Sequence, residues 1–211
     1  MRALAHALRV RDRARVLFLA DKATKATVER LDRNGRLGDV EVLAFATHGL
    51  IAGDIKGLRE PVLLLTPPEK VSETDDGLLH LDDIVALHLD NTRWVVLAAC
   101  NTGATEGVGQ GLSGLVRVFF FAGSPTLLVS HWSIQDKATE ELITKVFEPY
   151  GKDQRIAPAD ALQQGMLAML EAGAKAAANG KPKQSYFAHP FAWAPFFLVG
   201  EGEREPSGIM N

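Results

Sequence analysis

The sequence predicts an α/β protein built on a mostly parallel sheet between helical layers, and three observations carry that prediction. Short apolar runs alternate with amphipathic segments along the chain. One run, WVVLAAC (94 to 100), is continuously apolar, the pattern of a strand covered on both faces. With 46% hydrophobic residues over 211 positions, the chain can bury a sizeable core, which fits one domain over 1–202 followed by a polar tail at 203–211.

The elements follow in order. Arg2, Arg9, Arg11, Arg13 and Arg15 crowd the start and read as an N-terminal helix with a solvated basic face. RVLFLA (15 to 20) reads as a short strand, and KATKATVERLDRNG as a helix stopped by Asn34 and Gly35. VEVLAFATH (40 to 48) is a second strand, and VLLLTPP (62 to 68), bounded by prolines, a third. In LHLDDIVAL, the spacing of Leu81, Ile84, Val85 and Leu87 predicts a short helix. After WVVLAAC, GLSGLVRVFFFAG (111 to 123) is apolar all round except near Arg117 and its Ser/Gly side, which predicts a largely buried helix. PTLLVSHW is the next strand. SIQDKATEELITKVF carries Leu142, Ile143, Val146 and Phe147 on one stripe, with Ser133 and Asp136 at capping-box spacing. PADALQQGMLAMLEAG starts on Pro158 and turns Leu162, Met166, Met169 and Leu170 inward. FFLVG is the last strand.

Composition narrows the function. A formal net charge of −3 gives no electrostatic footprint for nucleic acid or anionic lipid. The longest apolar stretch is interrupted by Gly123 and Pro125 and is too short to span a bilayer. The apolar run after the N-terminal arginines lacks the length and cleavage site of a secretory signal. A single cysteine forms no internal disulfide, so the cytoplasm is the expected compartment.

That cysteine, Cys100, closes the most apolar strand, and His48 closes VEVLAFAT. Reacting groups in parallel sheets sit beyond the carboxyl ends of the strands. Were these two strands neighbours, an imidazole and a thiol would leave one edge together. A free thiol of pKa roughly 8.5 is only about 3% ionised near neutral pH, so an adjacent base raises the nucleophilic fraction or moves the proton in step with attack. Backbone N–H groups at Gly49 and Cys100 are the candidate oxyanion donors, the missing side chain of Gly49 allowing close approach. The bland reading keeps Cys100 as a small core hydrophobe and His48 as a hydrogen-bonded loop residue.

GQGLSG (109 to 114) satisfies a dinucleotide fingerprint, with Asp136 22 residues beyond Gly114. The context fails, because such a fingerprint follows its strand at once and belongs to a first βαβ unit. His80, His88, His131 and His189 show no paired ligand spacing, so neither a metal nor a cofactor is expected, and His189 before Pro190 reads as a structural loop residue.

FATHGL (45 to 50), DDGLLHLDDIVAL (75 to 87), VVLAACNTG (95 to 103), GLSGLVRVFFFAGSPTLLVSHW (111 to 132) and HPFAWAPFFLVGEG (189 to 202) resemble, in order, the successive motifs of the CHAT domain family of bacterial caspase-like proteins. The resemblance implies a caspase-like three-layer α/β/α sandwich whose last strand is antiparallel. It implies a cysteine endopeptidase of the caspase and separase group, with His48 as general acid/base and Cys100 as nucleophile forming an acyl-enzyme. Ser130, Trp132 and Asp136 fall where the family lines its substrate cleft, although Asp136 also suits a helix cap and Trp132 a core position. Expected partners are a protein or peptide substrate and a tetratricopeptide-repeat regulator. Ala98-Ala99 stands where the family usually has serine, and the family's first strand has no counterpart, an N-terminal shortening that would leave ladder groups unpaired. A catalytically inactive interaction module is the alternative.

Overall fold

The computed structural model describes residues 1–72, 74–98, 111–131, 136–180 and 182–201. In chain order the first elements are helices α1 (Arg2–Ala7), α2 (Arg13–Val16) and α3 (Lys25–Arg33), then strands β1 (Val42–Phe45), β2 (His48–Leu50), β3 (Val62–Leu64) and β4 (Leu78–Leu79). Helix α4 (Leu81–Val85), strand β5 (Trp94–Leu97), helix α5 (Gly111–Phe121) and strand β6 (Thr126–Ser130) follow. The chain continues through α6 (Asp136–Tyr150), α7 (Pro158–Ala178), α8 (Pro182–Ser185) and β7 (Phe196–Gly200). The class is the one the sequence predicts: mixed α/β, with a mostly parallel sheet, an antiparallel last strand and flanking helices, consistent with a caspase-like sandwich. Two compact units make up the chain, Phe18–Ser133 and Met1–Leu17 with Ile134–Asn211.

In the unit Phe18–Ser133, β1, β5 and β6 form a parallel ladder with β5 in the middle. All four residues of β5 are fully buried, as are Leu127, Leu128 and Val129 of β6. Each such side chain contributes roughly 1.5–3 kcal/mol, which is why these runs carry no alternation. Helix α5 packs with Leu115, Val116 and Phe119 inward, the Phe119 ring 5.9 Å from that of Phe45. Phe121 departs from the expected all-round burial and is 71% exposed. It lies one turn beyond exposed Arg117 and shares that solvent face. Of GQGLSG, only 111–114 are described, and they open α5.

Helix α3 starts where the Thr24 hydroxyl accepts the Thr27 N–H at 3.1 Å and ends on Asn34, as the stop signals predict. Val85, expected on the inner face of α4, is exposed, because a helix this short buries Ile84 alone. Strands β2, β3 and β4 form a separate antiparallel sheet, with β3 taken out of the parallel set.

No strand forms over 15–20. Helix α2 takes Arg15 and Val16, and Leu17 and Leu19 are extended without joining a ladder, at φ −113° and −126°. Ala20, at φ +48°, then turns the chain into a 3-10 turn, Ala20–Lys22. Arg15 and Val16 are exposed and Leu17, Phe18 and Leu19 only half-buried, so the segment is not covered as the residues of β5 are.

In the other unit, α1 buries Leu4, Ala5 and Ala7 and leaves Arg2 in solvent; the expected single basic helix is broken, since α1 stops at Ala7, Arg9 and Arg11 lie between the helices, and Arg13 and Arg15 are on α2. The predicted stripe of α6 is buried, and Phe147 meets Tyr150 edge to face at 6.0 Å. Helix α7 begins at Pro158, buries Leu162 and Met169, half-buries Met166 and Leu170, and runs on to Ala178. His189 is the structural loop residue expected: its Nδ1 accepts the Phe191 N–H at 3.2 Å and its ring stacks with Tyr186. Among the described residues no helix is long and apolar enough to cross a membrane.

Candidate active site

Because β1, β5 and β6 are parallel, their carboxyl ends share one rim. The β1–β5 register runs from Val42 opposite Trp94 to Phe45 opposite Leu97, and the Ala98 N–H carries it on to the Phe45 carbonyl at 2.9 Å. Every pair in this ladder is separated by 52 residues, as 97 less 45 shows. His48 and Cys100 have the same separation in sequence, 100 less 48. Cys100 itself lies outside the described residues, as do Trp132 and Ser133.

His48 does not close β1, as the sequence predicted. The strand ends at Phe45, the chain bends over Ala46 and Thr47, and His48 opens β2 opposite Leu64. The cause is a partner distant in sequence: the Thr47 hydroxyl donates to the Leu64 carbonyl and draws the chain onto β3. The His48 ring is exposed, and among the described residues no hydrogen bond engages it. Gly49 is buried in the middle of β2, opposite Leu63. Ser130 ends β6 at the rim and is only 3% exposed. In the other unit, Asp136 stands in the exposed first turn of α6, where a carboxylate complements the helix dipole.

A polar network that the sequence reading did not single out supports the small sheet. The buried Lys25 ammonium lies 2.7 Å from the Asp83 carboxylate, which also accepts the His80 N–H at 2.9 Å. The His80 ring faces Asp76 at 3.1 Å through Nε2 and Glu60 at 3.4 Å through Nδ1. Asp76 in turn accepts the Leu78 N–H at 2.9 Å, and Leu78 pairs with Leu64, which pairs with His48. The network therefore reaches the histidine strand through two steps of ladder. Burial pushes the Asp76 carboxyl up, but the His80 hydrogen bond, the Leu78 N–H and the His80 charge together hold it below its ordinary value. Gly77 closes the turn at φ +81°, and a Cβ there would fall 2.7 Å from Pro67 Cα. The i, i+4 spacing of Asp76 and His80 in DDGLLHLDD was the available signal. Among the described residues no group of three His, Cys, Asp or Glu side chains is placed to hold a metal ion.

The described part of the site is a solvent-facing imidazole three residues past the end of β1, a side chain suited to proton transfer. No curated protein matches the chain. A family model described as CHAT domain matches residues 1–201.

Proposed function

Since the chain belongs to the CHAT domain family, which is related to the caspase-like peptidases, we propose that it is a cysteine endopeptidase using His48 and Cys100. The observation that carries this reading is the shared 52-residue offset: His48 and Cys100 continue the spacing of the β1–β5 ladder, each three residues past the last paired position. Equal sequence distance beyond two adjacent parallel strands is what a thiol and an imidazole leaving one rim would show, and proton sharing would need that rim in common.

In the proposed reaction His48 takes the Cys100 proton as sulfur attacks the carbonyl carbon of a peptide bond. The oxygen that becomes negative is met by backbone N–H groups at Gly49 and Cys100. The imidazolium returns the proton to the departing amine, leaving a thioester. Water, deprotonated by His48, then attacks the thioester and releases the acid and the thiol. Ser130 and Trp132, at and just past the end of β6, are the proposed substrate-side residues; a protein or peptide is that substrate, and a tetratricopeptide-repeat protein is the proposed regulator.

Two measurements test this. New protein N-termini generated in a proteome by the parent chain should disappear with Cys100→Ala and His48→Ala. Alkylation of Cys100 by iodoacetamide near pH 6–7 should slow by about tenfold or more in His48→Ala, because the thiolate fraction falls toward that of a free thiol. An alkylation rate indifferent to His48 in a folded protein would overturn the dyad and favour the interaction module.

A further inference from the structure

In the unit formed by Met1–Leu17 and Ile134–Asn211, a cleft of about 470 Å³ opens between the end of α1 and the end of α6. Its walls carry Arg9, Arg11, Arg13 and Lys152, with Glu148 the one carboxylate and His6 at the edge. Among the described residues none of these four cations is in an ion pair. The lining thus concentrates positive charge on a chain whose formal net charge is −3.

The backbone beneath adds an independent observation. Helix α1 ends in a Schellman motif, with the Val10 N–H on the Ala5 carbonyl at 3.0 Å and the Arg9 N–H on the His6 carbonyl at 2.9 Å. The residue at the left-handed position of that motif is ordinarily glycine, and here it is Arg9 at φ +55°. Strain at such a position points to a role for the side chain. The helix dipole accounts for cations at the C-terminal ends of α1 and α6, but not for Arg13, which opens α2 with no acid in its first turn. The cleft is also firmly built: a Cβ at Gly151 would fall 2.2 Å from the Ala7 carbonyl oxygen, so the two helix ends are in direct backbone contact.

We infer that this cleft binds a small organic or inorganic polyphosphate, with the guanidinium groups of Arg9, Arg11 and Arg13 and the Lys152 ammonium on its phosphate oxygens. Guanidinium forks match phosphate bidentately, and the cleft has the volume usual for small-molecule sites. Several phosphates are required because one would leave most of the cations unmatched. This site is independent of the proposed dyad.

The test uses the intact chain with sodium triphosphate as probe, followed by calorimetry and thermal unfolding at ionic strength matched with sodium chloride. Triphosphate should bind one per chain, more tightly than inorganic phosphate, and raise Tm. Arg9→Gly separates the site from the fold, since it relieves the left-handed strain: Tm without ligand should rise by roughly 2–4 °C while affinity falls about tenfold. Arg11→Ala, on an exposed residue, should lower affinity similarly without changing Tm. Triphosphate that acts no more strongly than chloride, or either folded variant binding like the parent, would overturn the site.

Discussion

The two sheets of the unit Phe18–Ser133 both bury apolar side chains but differ in how much else they need. In the parallel ladder of β1, β5 and β6 the central strand is wholly buried and β6 nearly so, while β1 is half-buried except at Phe45. The sheet of β2, β3 and β4 buries Val62, Leu63 and Leu79 completely, but its strands are only two or three residues long and polar ties reinforce it, among them Thr47 to Leu64 and Asp76 to Leu78, with Lys25 to Asp83 joining the helices α3 and α4. Sheets this short gain little from cross-strand packing and need anchoring from outside. If Cys100 and His48 act together, one partner leaves a sheet held by apolar burial and the other a short sheet that polar ties reinforce. Their sensitivities should differ accordingly.

Leu128→Ala should give the largest effect. It opens a cavity on a fully buried face of the sheet, and the expected loss is about 2–5 kcal/mol, read from urea unfolding. Asp83→Asn should come next, at about 3 kcal/mol, because it leaves the Lys25 ammonium buried without its counter-charge. The two variants separate in a second readout. Asp83→Asn loosens the support of β4 and β2, so it should also slow Cys100 alkylation under conditions where the protein remains folded, whereas Leu128→Ala should change stability with less effect on that rate. Equal slowing by both would mean the two sheets do not divide the labour this way.

The same contrast explains what the sequence disclosed. Strands β5 and β6 were legible because burial on both faces writes itself as an unbroken apolar run, and α6 because one buried stripe imposes a helical period. The small sheet was not, since its determinants are single long-range bonds. Nothing local in FATHGL says that Thr47 will find the carbonyl of Leu64, so one strand was expected where two form. At 15–20 a short apolar run looked like a strand, but a strand needs a partner edge, and here Leu17, Phe18 and Leu19 are only half-buried. Of the candidate site, residue types and spacing were legible: the 52-residue interval was visible beforehand, while its equality with the ladder register needed the pairing. The Lys25–Asp83 tie was invisible, because two residues 58 positions apart carry no periodicity that relates them.

Acid should weaken the polar sheet first, and Asp76 shows why. Its carboxyl in the folded protein lies below the ordinary value of 3.8, so the folded state favours the ionised form. A depressed carboxylate stabilises the fold fully above the unfolded pKa, and that contribution fades as pH falls through the folded one. The side chain is about 36% exposed, so solvent screening keeps the contribution below about 1 kcal/mol. Asp76→Asn should therefore be slightly less stable than the parent at neutral pH, and the difference should shrink as pH drops below 3.8. Leu128→Ala, acting on a surface that does not titrate, should keep a constant deficit over the same interval. Urea midpoints of the three proteins measured down that pH range would decide it: parallel curves for the parent and Asp76→Asn would remove the electrostatic account of the small sheet, and convergence would support it.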